Sequence, residues 1–174
     1  PSDILRATAA VRGAEVAFVD APTGLETTWA QLDLAVDHLA AGLLRHGLSQ
    51  GDRVALLLGN RIEFVASYFA TLRAGLVSLP LNTAYTQHEV SDVLRRSGSR
   101  LVIADESTEA VAGVAAPEGC DVVVVGDSSF EALSRLGSRA AAHVRSSRSR
   151  PFASLPVEVC GSESRIVTVV GHLN

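Results

Sequence analysis

The sequence predicts an α/β fold in which a mostly parallel β-sheet is flanked by helices. Short apolar runs alternate along the chain with amphipathic segments whose apolar residues have helical spacing. The runs RVALLL, RLVIA and DVVVV are almost continuously apolar, as expected of strands that are covered on both faces. The 174 residues suffice for one domain with its own hydrophobic core.

The first predicted elements are a strand pair and a long helix. Glu15–Asp20 is typical of a short strand, and a turn with Pro and Gly leads to Leu25–Thr28 as its hairpin partner. Thr28 and Gln31 match the capping box that begins a helix. Gly47 is placed to end this helix, whose apolar face consists of Leu32, Val36, Leu39, Ala40 and Leu43.

The following segments alternate between strand and helix. A second capping box, formed by Thr86 and Glu89, begins one of the helices. The crossovers between parallel strands should be right-handed, although the pattern leaves the strand order open. Strands are predicted at Arg53–Leu58, Leu76–Leu79, Arg100–Ala104 and Asp121–Val125, and helices at Ile62–Ala74, from Thr86 to Gly98, and at Glu109–Ala116.

The charge of the chain changes sign near residue 135. Residues 1–134 carry nine Arg against 17 Asp and Glu, a net charge of −8, whereas residues 135–174 carry six Arg against two Glu, a net charge of +4. Apolar periodicity also fades after Leu136, where Ser and Arg dominate. Such a change indicates a boundary. We therefore predict a domain at residues 1–134 and a divergent, irregular tail at residues 135–174, which is either disordered or translated out of frame.

Searches for catalytic motifs find none. The chain contains no lysine, no glycine-rich nucleotide fingerprint and no nucleophile elbow. The five histidines have no metal-binding spacing, and Cys120 and Cys160 form neither a disulfide framework nor a zinc pattern. The sequence therefore assigns no catalytic, cofactor-binding or metal-binding residue.

Two acidic loops follow predicted strands. Glu63 comes with Asn60 and Arg61 after a strand, at the edge of the sheet where α/β proteins bind ligands, but loops of this composition are common. Asp105 and Glu106 invite comparison with a ribose-binding acid. Because no glycine fingerprint precedes them, we expect them to cap the following helix instead.

Composition and terminal residues indicate a soluble, cytoplasmic protein. No apolar run reaches the about 18 residues of a membrane helix, and the N-terminal segment lacks the features of a secretory signal. The two separate cysteines suit a reducing compartment. The Arg/Ser stretch Ser146–Arg150 suits RNA phosphates, but it has no aromatic residues for base stacking and the rest of the chain is acidic, so nucleic-acid binding is not expected.

A series of short motifs carries a family resemblance. Thr28–Leu32 opens a helix, Gly51–Ala55 opens a strand, and Ala74-Gly75 precedes Leu79–Asn82. This ordered series resembles the acyl-CoA synthetases, or fatty-acid–CoA ligases, of the AMP-binding, adenylate-forming superfamily. The resemblance covers roughly residues 15–127 and continues through Thr83–Thr86, Glu89, Leu94, Ser97-Gly98 and Leu101-Val102.

The resemblance implies a role in acid activation. Members of this family use ATP and magnesium to convert a carboxylic acid into an acyl-adenylate, and then transfer the acyl group to coenzyme A. The chain would be the first portion of their large N-terminal domain, which is mainly scaffold, and the acid could be fatty or malonate-like. The family's phosphate loop, adenine motif, ribose-binding Asp and C-terminal domain have no counterpart here. No catalytic residue is therefore carried over, and no cofactor is expected for this chain alone.

Two main functions follow from these observations. The first is a truncated acyl-CoA synthetase of fatty acid metabolism that is inactive alone, with a frame shift or gene truncation as the origin of the tail. The alternative is a non-catalytic α/β interaction module, which self-associates or pairs with a chain that supplies the missing half. An Arg-rich RNA binder ranks third.

Overall fold

The computed structural model describes residues 3–141, with side chains up to Ser134. The elements follow the predicted alternation, and each predicted strand and helix lies within about two residues of its expected bounds. In chain order they are α1 (Ile4–Arg12), β1 (Val16–Val19), β2 (Glu26–Thr28), α2 (Trp29–Arg45), β3 (Arg53–Leu57), α3 (Ile62–Arg73), β4 (Val77–Pro80), α4 (Gln87–Ser97), β5 (Ser99–Ala104), α5 (Glu109–Ala115), β6 (Asp121–Val124) and α6 (Ser128–Ala141).

A four-stranded parallel sheet forms the centre of the described residues. Its strand order is β4-β3-β5-β6, and β1 and β2 form a separate antiparallel hairpin. In register, Arg53 of β3 lies opposite Val77 of β4, and Leu57 of β3 lies opposite Ala104 of β5. The predicted fold class, a mostly parallel sheet with flanking helices, is confirmed.

The helices cover both faces of the sheet. Successive residues of β3 enter two different cores, as the alternation of side chains along a strand requires. Val54 and Leu56 pack in the core shared with α1, α2, α3 and α6. Ala55 and Leu57 pack in the core shared with α4 and α5. The continuously apolar sequence of β3 is explained by this two-sided burial.

Both predicted capping boxes are present. At the start of α2, the Gln31 amide donates to Thr28 Oγ1 at 3.3 Å, and Gln31 Oε1 accepts from the Thr28 amide at 2.8 Å. Thr86 and Glu89 make the same reciprocal pair at the start of α4. These local contacts satisfy amides that the first helical turn leaves without partners.

Arg73, at the end of α3, joins three helices. Its guanidinium donates to Asp3 Oδ2 at 2.5 Å, to Asp33 Oδ1 at 2.6 Å and to Asp37 Oδ1 at 2.9 Å. Asp3 caps α1, and the two other carboxylates belong to α2. The hydrogen bond from Arg73 is the main reason why the pKa of Asp3 lies below its ordinary value. Only 11% of the Arg73 side chain is exposed, and without it the half-exposed Arg6 would remain to pair with Asp33 and Asp37.

Two helices were not predicted from the sequence. In α1, Leu5 is the one buried side chain, so the apolar pattern is weak. In α6, the helix extends to Ala141 and thus passes through the predicted boundary between residues 134 and 135. The Arg/Ser stretch Ser146–Arg150 and Cys160 lie outside the described residues.

Gly42 allows α6 to pack closely on α2. A β-carbon at position 42 would overlap the carbonyl group of Leu133 in α6. Leu133 is 2% exposed and belongs to the same core as Leu39 and Leu43 of α2. The absence of a side chain at Gly42 therefore brings the two helix backbones into contact.

We expect the substitution Gly42→Ala to destabilise the fold by about 1–3 kcal/mol, because the methyl group forces α6 away from α2. The matched control is Gly113→Ala in α5, where an added β-carbon meets nothing within 4 Å. This control should be neutral or stabilising by up to about 1 kcal/mol, from helix propensity. The measurement is the free energy of unfolding in urea, followed by circular dichroism. Equal effects of both substitutions would contradict the close packing of α6 at Gly42.

Candidate functional site

At the carboxyl edge of the sheet, the connection that follows β3 and those that follow its two neighbouring strands run to opposite faces. The chain leaves β3 for α3 on one face of the sheet, whereas it leaves β4 for α4 and β5 for α5 on the other face. Loops that depart to opposite faces leave a crevice between them, and such crevices are where open α/β sheets bind ligands. Two crevices are therefore expected, one on each side of β3.

Hydrogen bonds close the crevice between β3 and β5. Thr108 Oγ1 donates to the Leu57 carbonyl at 2.6 Å, and the Gly59 amide donates to Asp105 Oδ2 at 2.7 Å. Asp105 and Thr108 are 4% and 3% exposed. The β5–α5 loop thus fills the space that a ligand would occupy on this side.

The crevice between β3 and β4 is open. It forms a cleft of about 460 Å³ between the β3–α3 loop and the segment after β4. Its lining contains apolar side chains, two carboxamides and one hydroxyl, but no charged side chain. The lining residues are Leu58, Gly59, Asn60, Phe64, Pro80, Leu81, Asn82 and Thr83.

The chemistry of this cleft suits an uncharged group. Carboxamides and a hydroxyl donate and accept hydrogen bonds, and the apolar residues provide contact area. The Asn82 side chain is partly committed, because its Oδ1 accepts from the Ala84 amide at 2.9 Å. Without a basic side chain, the lining does not fit a triphosphate, whose charge requires cations and several donors.

Asp105 is ionised and held by several donors. Besides Gly59, its carboxylate accepts from the Ser107 amide at 3.0 Å and from Ser107 Oγ at 2.6 Å. Burial raises the pKa of this carboxyl, but the hydrogen bonds from Gly59 and Ser107 outweigh burial and lower the pKa below its ordinary value. Contrary to expectation, neither Asp105 nor Glu106 caps α5 with its side chain: the helix begins after Thr108 without a side-chain cap, and the Asp105 carbonyl accepts from the Glu109 amide at 2.8 Å.

Glu63 and Glu106 are both bound by Arg61. The Arg61 guanidinium donates to Glu63 Oε2 and to Glu106 Oε2, each at 2.8 Å. Burial lowers the pKa of Arg61, but the two carboxylates raise this pKa by more than burial lowers it. The pKa of Arg61 therefore lies above its ordinary value. Glu63 is 7% exposed and does not line the cleft. Of the predicted loop residues, Asn60 alone contributes a side chain to the cleft.

Residues 3–141 contain neither a metal-binding cluster nor a membrane-spanning helix. No three His, Cys, Asp or Glu side chains in this part of the chain are arranged to hold a metal ion. None of its helices has the length and apolar character needed to cross a membrane. Cys120 is a free, buried thiol, and burial raises its pKa to about 11.

Comparison with known proteins identifies the family. The family model for AMP-binding enzymes matches residues 5–161. The chain belongs to the AMP-binding enzyme family. This finding confirms the resemblance to the acyl-CoA synthetases as the first part of an adenylate-forming enzyme.

Several relatives of this AMP-binding chain are named as CoA ligases. It is 37% identical over 100 residues to the long-chain-fatty-acid–CoA ligase FadD13 of Mycobacterium tuberculosis, covering 58% of this chain and 20% of the relative. It is 36% identical over 120 residues to 4-coumarate–CoA ligase 3 of Oryza sativa subsp. japonica, covering 68% and 22%. The chain thus spans about a fifth of the length of these curated relatives.

A solved structure supports the same relationship. The N-terminal domain of FACL13 from Mycobacterium tuberculosis is similar with a TM-score of 0.70 and 31% identity. The similarity covers 75% of this AMP-binding chain and 34% of that chain. The architecture around the cleft therefore belongs to the N-terminal domains of acyl-CoA ligases.

The cleft itself was not predicted from the sequence. Two signals for it were present: the Gly59-Asn60 break after β3 and the string from Leu79 to Asn82, which carried the family resemblance. Neither signal shows that β4 lies beside β3. The two loops become one site only when the strand order is known.

The lowered pKa of Asp105 predicts a pH-dependent contribution to stability. A carboxyl whose folded pKa is depressed stabilises the fold fully above its unfolded value near 3.8, and the contribution is lost as the pH falls further. We expect Asp105→Asn to lower the free energy of unfolding at neutral pH by about 1–3 kcal/mol. It should also reduce the stability lost on acidification. The measurement is urea denaturation at pH values above and below 3.8, with the exposed Asp127→Asn as control. An unchanged acid loss in Asp105→Asn would contradict the assignment.

Proposed function

We propose that this chain forms the first part of the N-terminal domain of an ATP-dependent acid–CoA ligase and is not catalytic alone. The observation that carries the proposal is the similarity to the FACL13 N-terminal domain, which extends over 75% of this chain but only 34% of that domain. The role of the chain is to provide the sheet and one substrate-binding cleft of a larger catalytic unit.

The relatives support a carboxylic acid and coenzyme A as substrates of that unit. Their names specify CoA ligases for long-chain fatty acids and for 4-coumarate. The acids differ, but the carboxylate and the thiol acceptor are shared. We therefore propose the reaction class, acid–CoA ligation, for the assembled enzyme in the cytoplasm, and leave the acyl chain unspecified.

The uncharged lining of the cleft supports the proposal that the chain alone is inactive. Adenylation requires cationic groups and backbone donors around a triphosphate and its magnesium ion. The 174 residues contain no lysine and no Ser/Thr/Gly-rich phosphate loop, and no charged side chain lines the cleft. In our proposal ATP and magnesium are held by other parts of the enzyme, while the cleft receives an uncharged part of a substrate. Residues 1–134 supply the sheet and the cleft.

The purified chain should therefore form no acyl-CoA. The test supplies ATP, magnesium, coenzyme A and, separately, a long-chain fatty acid, 4-coumarate or malonate. Pyrophosphate release and mass spectrometry of acyl-CoA are the measurements, with an intact CoA ligase of the family as positive control. We expect no product above the no-enzyme background. Turnover that scales with the concentration of the pure chain would refute the proposal.

An interaction module is the second candidate, and the edge of the sheet favours it. Among residues 3–141, β4 pairs with β3 on one side and has no strand on the other. Val77 of β4 is 47% exposed, and Leu72 at the end of α3 is 48% exposed. An edge strand with exposed apolar side chains is a template for pairing with another chain.

Substitution of the edge tests this second candidate. Val77→Lys places a charge on β4 and should lower the dimer or aggregate fraction several-fold, because edge lysines oppose strand pairing. The matched control is Val114→Lys on α5, where the side chain is 67% exposed and lies outside the sheet. Light scattering over a range of protein concentrations measures the association. Self-association through β4 is excluded if the unsubstituted chain is monomeric at all concentrations or if both substitutions act equally.

A further inference from the structure

We propose that Asp105 is a positioning residue that sets the shape of the open cleft from the opposite side of β3. This inference rests on the proposed function in one respect, because it treats the cleft as a substrate site. Asp105 follows β5, whereas the cleft lies between β3 and β4. Its effect is transmitted through the β3–α3 loop, which separates Asp105 from the cleft.

The alternation of backbone groups along β3 explains how this loop is held. In a parallel sheet, successive residues direct their N–H and C=O groups to opposite neighbours. The Leu56 carbonyl accepts from the Leu81 amide at 2.9 Å on the β4 side. The backbone groups of Leu57 and Gly59 therefore face the β5 side.

Side chains of the β5–α5 loop continue the ladder after β5 has ended. Strand β5 ends at Ala104, so it offers no backbone partner to Gly59. The Asp105 carboxylate accepts from the Gly59 amide at 2.7 Å, and Thr108 Oγ1 donates to the Leu57 carbonyl at 2.6 Å. A hydroxyl has one proton, and the shortest contact of Thr108 places that proton on Leu57. Two side chains thus substitute for a strand.

The residues between these anchors form the wall of the cleft. Leu58, Gly59 and Asn60 all line the cleft, so the residue that Asp105 holds is part of the wall itself. Because the backbone of Gly59 is held on the β5 side, the direction in which the Asn60 side chain projects is fixed as well. If this anchor is lost, the wall is free to move toward or away from Leu81.

Asp105 is itself held rigidly enough to act in this way. It is 4% exposed, and its other oxygen, Oδ1, accepts from the amide and hydroxyl of Ser107. A β-carbon at Gly59 would lie 3.4 Å from Asp105 Oδ2, so the two loops are in close contact. Asp105 does not line the cleft. Its role is to position the wall, not to contact a substrate.

Nuclear magnetic resonance tests the proposal without any ligand, so its outcome is independent of the proposed function. The variant is Asp105→Ala, with Asp127→Ala as control and Asp105→Asn as conservative replacement. In Asp105→Ala we expect the Gly59 amide to exchange with solvent at least about tenfold faster. The residual dipolar couplings of the Leu58 to Asn60 amides should change, while those of β3 and β5 stay as in the unsubstituted chain. Asp105→Asn should retain the couplings, because its carboxamide oxygen can still accept from Gly59.

A merely stabilising role would give a different result. In that case the couplings of residues 58–60 in the folded state would not move, even if lower stability made exchange faster throughout the sheet; unchanged couplings therefore overturn the proposal. Unchanged exchange at Gly59 overturns it as well. If Asp105→Ala does not fold, the unsubstituted chain provides the test through scalar coupling across the hydrogen bond, from the Gly59 nitrogen to the Asp105 carboxyl carbon. Detection of that coupling together with retained wall geometry in Asp105→Asn supports the proposal, and its absence rejects it.

Discussion

The whole arrangement depends on the burial of β3 on both faces and its pairing on both edges. Val54, Ala55, Leu56 and Leu57 are each at most 1% exposed. A strand in this position accepts neither a polar side chain nor a shift of register, because a slip by one residue would exchange the residues of the two cores. The helices on either face are therefore placed relative to a fixed centre. The loop that follows β3 therefore begins at a fixed position, and the cleft forms beside this loop.

The two crevices beside β3 are chemically different. On the β5 side, the carboxylate and hydroxyl groups form hydrogen bonds within the protein, and the β5–α5 loop fills the crevice. On the β4 side, the lining is uncharged and the space is open. The buried polar groups on the closed side thus stiffen the structure, whereas the open side presents carboxamides and apolar contacts, to which our proposal assigns recognition. Such a division suits a scaffold that binds part of a substrate while the charged steps take place elsewhere.

Local signals in the sequence predicted most of the fold. The capping boxes at Thr28 and Thr86 depend on residues three positions apart, so the sequence alone reveals them. The apolar strings of the central strands report burial on both faces, which is why the α/β class could be predicted. The strand order could not, because pairing in a parallel sheet joins segments that are far apart in sequence. The helix α6 was missed for a different reason: Phe130 and Leu133, three residues apart, form a buried face, but the change of charge near residue 135, which lies inside this helix, was interpreted as the end of the domain.

The candidate site was less predictable than the fold. Asp105 was recognised as an acid after a strand, but its partner Gly59 lies 46 residues earlier in the chain. Glu63 was identified as a loop acid, yet its carboxylate forms an ion pair with Arg61. In both cases the residue type was visible in the sequence, whereas the partner that decides its role was set by the tertiary structure.

The central position of β3 also has a consequence for the order in which the protein folds. The stretch of chain that closes the β3–β5 pair is about twice as long as the stretch that closes the β3–β4 pair. Each doubling of a closed loop adds about 0.6 kcal/mol of entropic cost, so β4 is expected to pair with β3 first. During synthesis, the β3–α3–β4 unit is also complete before β5 has been made. The cleft between β3 and β4 would then be assembled early, and until β5 is made the buried central strand β3 would have one unpaired edge.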